Sequence, residues 1–144
     1  MRKFITLLIV AISLISCSSD EDDKVRNSEF VGKWNWIGSH GGFSFNIHST
    51  PESEGYTLQL NLMKNYTFSL LKDGKEVGTG KYDLIMVESI NTGEMGKYIT
   101  CDMSTTPHDR YFVTKGIITI SEEGKLSISD NNFDGIGSGF ERIK

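Results

Sequence analysis

The side chains able to attack, ligate or shuttle protons are few: two cysteines, three histidines and scattered carboxylates. Zinc-type sites need Cys and His at short fixed intervals. His40, His48 and His108 keep no such interval from one another or from Cys101, so no metal site is expected. Asp102, His108 and Asp109 gather around Pro107, but no Gly-x-Ser-x-Gly elbow accompanies them. Gly135-Ile136-Gly137-Ser138-Gly139 is glycine-rich, yet no helix follows to receive a phosphate, and it reads as a flexible loop before a last strand. Asn65-Tyr66-Thr67 matches a glycosylation sequon; an Asn in a hairpin turn explains it equally. Cys101 lies in a strand-like run and reads as a small buried hydrophobe. No catalytic residue and no cofactor is expected, and the chain does not read as an enzyme.

What remains is apolar and aromatic. Trp36, Phe43, Phe45, Tyr56, Leu58, Leu60, Phe68 and Leu70 fall on strand faces that can turn inward. There they would either fill a core or line a pocket for a small apolar ligand. A second pair of interest is Trp34, near the start of the folded region, and Arg142, near its end. A guanidinium over an indole would tie the two termini together.

The elements that position these residues begin after a leader. Met1-Arg2-Lys3 is basic, residues 4–15 are apolar apart from Thr6 and Ser13, and the run ends at Leu14-Ile15-Ser16-Cys17. That is a secretory signal, too short to span a bilayer. Leu14-Ile15-Ser16-Cys17 resembles a bacterial lipobox, which implies that residues 1–16 are removed and Cys17 is lipidated. An ordinary signal peptide with an incidental cysteine is the alternative. Residues 17–29 include Ser18-Ser19-Asp20-Glu21-Asp22-Asp23, an acidic stretch read as a disordered tether. The run also resembles the acidic export signal of Bacteroidetes surface lipoproteins; a solvated spacer on a periplasm-facing protein is the other reading. The formal charge is −4, and −6 once Arg2 and Lys3 are removed. Such a surface repels phosphate backbones, so nucleic acid is not an expected partner.

Ala11 is the chain's only alanine, while all 15 glycines follow the leader. Helices should be scarce and short strands many. Alternation marks strands at residues 30–37, 43–47, 56–62, 66–70, 75–83, 84–90, 97–103, 109–114, 117–121, 125–129 and 138–143. Asp73-Gly74 and Glu122-Glu123-Gly124 are hairpin turns, and Gly78 and Gly80 suggest a sharp bend. A sheet this large must split or close; closure removes its edges. An all-β, antiparallel up-and-down barrel of about eight strands over residues 30–144 is the expected fold, with a two-sheet sandwich as the alternative.

Gly32-Lys33-Trp34 resembles the Gly-x-Trp that opens lipocalins, and Arg142 resembles the arginine that packs across that tryptophan. Together with Gly41-Gly42 and Phe140-Glu141-Arg142 they resemble the short lipocalin-like domains of Bacteroidetes lipoproteins. The resemblance implies a lipid-anchored, surface-exposed outer-membrane protein that binds a small apolar ligand at the barrel mouth. No C-terminal helix or disulfide pair is evident, which argues against a roomy cavity. An interaction or inhibitor module with a filled interior, engaging a surface protein through its loops, is the competing expectation.

Overall fold

A computed structural model describes residues 24–43, 47–103 and 113–144. Its strands are β1 (Gly32–Gly41), β2 (Ile47–Ser49), β3 (Leu58–Leu62), β4 (Thr67–Lys72), β5 (Lys75–Glu88), β6 (Met95–Met103), β7 (Lys115–Ile120), β8 (Leu126–Ser129) and β9 (Ile136–Arg142). One short helix, α1 (Pro51–Glu54), lies between β2 and β3. Every pairing is antiparallel, each strand from β3 to β9 pairs with the next, and β9 returns to β1. The sheet is a closed eight-stranded barrel.

β1 is the seam. One of its edges carries β9 from Trp34 to Gly41; the other carries β3 along residues 32–35 and β2 along residues 39–41. Followed around the cylinder, the registers close with a stagger of about twelve residues, which tilts the strands and widens the interior. Bulky side chains answer that width. Trp34, Phe68 and Phe140 are fully buried among Leu58, Leu60, Leu62, Leu70, Ile99, Ile118, Leu126 and Ile128. Period-2 alternation is what sends them inward: β3 buries Leu58, Leu60 and Leu62 and leaves Gln59 and Asn61 half-buried.

Several boundaries differ from the expected ones. β1 runs on through Gly41, with a bulge between Trp36 and Gly38 that shifts the alternation and turns Ser39 inward. The strand expected at residues 43–47 is instead β2 at Ile47–Ser49, and Phe43 stands on the turn before it, 78% exposed. The segments 75–83 and 84–90 form one continuous strand, β5. β5 carries a bulge beside Gly78, where Leu70 pairs with Gly78 and Leu71 with Glu76; at Gly80 a Cβ would overlap the Asp102 carbonyl on β6, so glycine there permits close strand contact. The stretch before β3 holds α1, started by a Thr50–Ser53 capping box with Pro51 in its first turn. Residues 24–29, expected in the tether, pack instead against the barrel: Val25 touches the core and Asn27 is buried. Most of the strand expected at residues 109–114 lies outside the described residues.

Candidate functional site

One end of the barrel is sealed by its two termini. The Arg142 guanidinium carbon sits 4.1 Å from the centre of the Trp34 ring. Its Nη1 donates to the Val31 carbonyl at 2.9 Å and its Nη2 to the Glu29 carbonyl at 2.9 Å. The indole Nε1 donates to the Phe30 carbonyl at 2.8 Å, so the buried ring has its polar atom satisfied. One cation thus holds β9, the start of β1 and the entering strap at residues 29–31. Gly32 explains itself here. A Cβ at this position would come within 2.5 Å of Arg142 Nη1, and φ is +153°, which side chains rarely adopt. In Gly32-Lys33-Trp34 the glycine makes room for the cation that covers the tryptophan.

A polar latch lies beside this seal. Asn27 Nδ2 donates to the Tyr82 hydroxyl at 2.6 Å, and Tyr82 donates to the Met63 carbonyl at 2.9 Å. Tyr66 donates to the Val25 carbonyl at 3.0 Å and its ring tilts against Tyr82. Tyr66 has φ of +59°, a left-handed conformation costly for a ring-bearing residue, at the turn between β3 and β4. Burial pushes the Tyr82 phenol up to about 12, opposed by its Asn27 hydrogen bond and raised further by Tyr66 and Cys101. Burial alone pushes the Cys101 thiol up to about 12, so it stays protonated and is a poor nucleophile.

The residues expected to meet a ligand divide into groups. Trp36, Leu58, Leu60, Phe68 and Leu70 are in the core, at 0–2% exposure. A void large enough for water would leave accessible surface on the side chains around it, and these have almost none. Tyr56 packs on the core's margin, stacked over Trp36 with ring centres 6.2 Å apart, and the Lys72 ammonium lies 4.1 Å above it. Phe43 faces away from the interior, and Phe45 lies outside the described residues, as do Cys17, the acidic run and His108. Trp36 Nε1 donates to Ser39 Oγ at 3.0 Å, Ser39 shares a 2.8 Å bond with Ser138, and Ser138 accepts from the Val113 amide. No buried side-chain polar atom among the described residues lacks a partner.

Two surface depressions accompany this filled core, and both open to solvent. One, about 530 Å³, is lined by Ile37, Thr119, Glu123, Lys125 and Gly139 among others. The other, about 570 Å³, is lined by Met63, Thr67, Glu76, Lys81 and Asp102 among others. Hydrophobic side chains also stand out from the barrel, including Phe43 at 78% and Phe133 at 84% exposure.

Register brings together one pair that spacing did not reveal. His40 and His48 face each other across the β1–β2 ribbon with Nδ1 atoms 2.8 Å apart. Nothing in their linear separation marks them as neighbours; only the position of the turn does. Among the described residues, no group of three or more His, Cys, Asp or Glu side chains is placed to hold a metal ion. No protein-family model, no curated protein and no solved structure matches the chain.

Proposed function

We propose that this chain is a lipoprotein anchored through Cys17 at the outer membrane and exposed at the cell surface, whose barrel is a non-enzymatic interaction module. It engages a surface protein through its outer face and loops rather than carrying a small molecule inside. The observation behind this reading is the filled interior. A carrier of a small apolar ligand needs a concave site of about 300–1,000 Å³ that encloses most of the ligand. Five of the side chains expected to line such a site, Trp36, Leu58, Leu60, Phe68 and Leu70, are instead buried in the core at 0–2% exposure. The outer face offers what the inside does not: exposed Phe43, Ile47, Met95 and Phe133 and two open depressions. The leader supports the address, since Leu14-Ile15-Ser16-Cys17 supplies a lipobox-like acceptor and the following acidic run a tether.

Native mass spectrometry of the protein purified from its own cells tests the reading. The expected species is the lipidated chain without a stoichiometric small molecule; a 1:1 apolar ligand would return the barrel to a carrier role. Photo-crosslinking in whole cells from Ile37, in the first depression, should give a discrete protein adduct. Cys17→Ala should release the protein from membranes, and unchanged retention would remove the anchor from the proposal.

A further inference from the structure

We infer that His40 and His48 form a chelating site for a late first-row divalent metal, Cu²⁺ foremost, on the outer face of the β1–β2 ribbon. The rings are cross-strand partners, their centres 4.5 Å apart and their planes tilted by 40°. Both are exposed, and the two atoms that approach most closely are both Nδ1, at 2.8 Å. Imidazole nitrogens bind such ions at about 2.0–2.1 Å, so two of them in adjacent square-planar positions sit about 2.9 Å apart. The separation in the ribbon matches that bite. A tetrahedral ion would require about 3.3 Å, a widening that favours the square-planar preference of Cu²⁺ and Ni²⁺.

The metal-free pair is held by one N–H···N bond, which requires one ring with its proton on Nδ1 and the other with a free Nδ1 lone pair. Binding needs both lone pairs. The donor ring must therefore give up its Nδ1 proton, to its own Nε2 by way of solvent or to solvent outright. Water fills the remaining positions, since both rings face solvent.

The backbone on either side of the ligands is tied to its neighbours. On the β9 side, His40 pairs with Gly137, which places no side chain beside the ring. The Gly42 amide bonds to the Gly135 carbonyl at 3.2 Å, fastening the ribbon to the loop before β9. At the other end, the Thr50–Ser53 capping box follows β2 directly. Two ligands on a ribbon held this way lose little freedom on binding. The site is independent of the proposed interaction role.

Titration of the full chain in detergent with Cu²⁺ alone, followed by calorimetry and electron paramagnetic resonance, tests this. The expected result is one site per chain whose spectrum shows two equatorial imidazole nitrogens. His40→Ala and His48→Ala should each weaken binding by about tenfold or more and remove one nitrogen. His48→Gln, which keeps a polar side chain on the ribbon, should do the same with an unchanged circular dichroism spectrum. His108→Ala should leave affinity and spectrum unaltered. Retention of both nitrogens in His40→Ala or His48→Gln, or their loss in His108→Ala, would overturn the assignment.

Discussion

The seal at the barrel's end makes a quantitative prediction about Arg142 and Gly32. Arg142→Ala removes a cation from the face of Trp34 and two hydrogen bonds to the carbonyls of Val31 and Glu29. An exposed cation–π contact contributes about 0.5–1 kcal/mol. Each charged hydrogen bond adds roughly 1 kcal/mol after discounting for the exposure of the side chain. The expected loss is therefore about 2–3 kcal/mol, or a fall in Tm of about 6–15 °C for a domain of this size. Gly32→Ala should cost a similar amount for two reasons: its φ of +153° disfavours any side chain, and the new Cβ displaces Nη1. In the Arg142→Ala background the second reason vanishes, leaving only the backbone cost of about 1 kcal/mol. The double variant should then be more stable than the sum of the singles implies, by about 1–2 kcal/mol. Urea unfolding of the full chain and its three variants, followed by tryptophan fluorescence, measures all four corners. Additivity within about 0.3 kcal/mol would mean that Gly32 is not there to admit the guanidinium, and the account of the seal would fail.

Three further outcomes follow from the same geometry. Stability should fall with rising pH on the alkaline side. Tyr82 and Cys101 both have folded-state values raised to about 12, so the unfolded chain releases these protons first and gains from each pH step above about 9 for the thiol and about 10 for the phenol. Denaturant midpoints between pH 8 and 12 should show the decline, and Tyr82→Phe should flatten the part above pH 10. Leu60→Ala should cost about 2–5 kcal/mol by leaving a cavity in the barrel, whereas Phe43→Ser, at an exposed turn, should change stability by less than about 0.5 kcal/mol. Native Cys101 should resist alkylation by iodoacetamide until denaturant opens the barrel; rapid labelling of the folded protein would contradict its burial.

Features carried by local pattern were readable before any coordinates. Leu58, Leu60 and Leu62 alternate with polar residues, Asp73-Gly74 marks a turn, and both predict the β3–β5 meander that the pairings show. Trp34 and Arg142 could be paired at long range because each sits at an end of the folded chain, and a closed barrel must bring its ends together. What escaped depends on register. The glycines of β5 suggest a bend, and a bulge does sit beside Gly78, but Gly80 faces a neighbouring backbone that no linear reading supplies. Phe43 alternates with Phe45 and Ile47 as a strand would, yet the bulge and the two glycines at the end of β1 move the turn onto Phe43 and push the ring into water.

The histidine pair follows the same logic. An antiparallel ribbon can place side by side any two residues that lie equally far from its turn, so their spacing is meaningful only once the turn is located. Gly41 aligns with Ile47, which makes His40 and His48 the next rung outward. Slipping the ribbon by one residue would set one ring against a different neighbour and send its side chain to the opposite face. Deleting one residue from the turn between Gly42 and Ile47 should therefore abolish two-nitrogen Cu²⁺ coordination while the cylinder, closed by β3 and β9 along β1, stays folded. Such a deletion separates a site built by register from histidines that bind copper independently of one another. Two-nitrogen coordination that survived it would show that the opposition of the two rings is not what holds the ion.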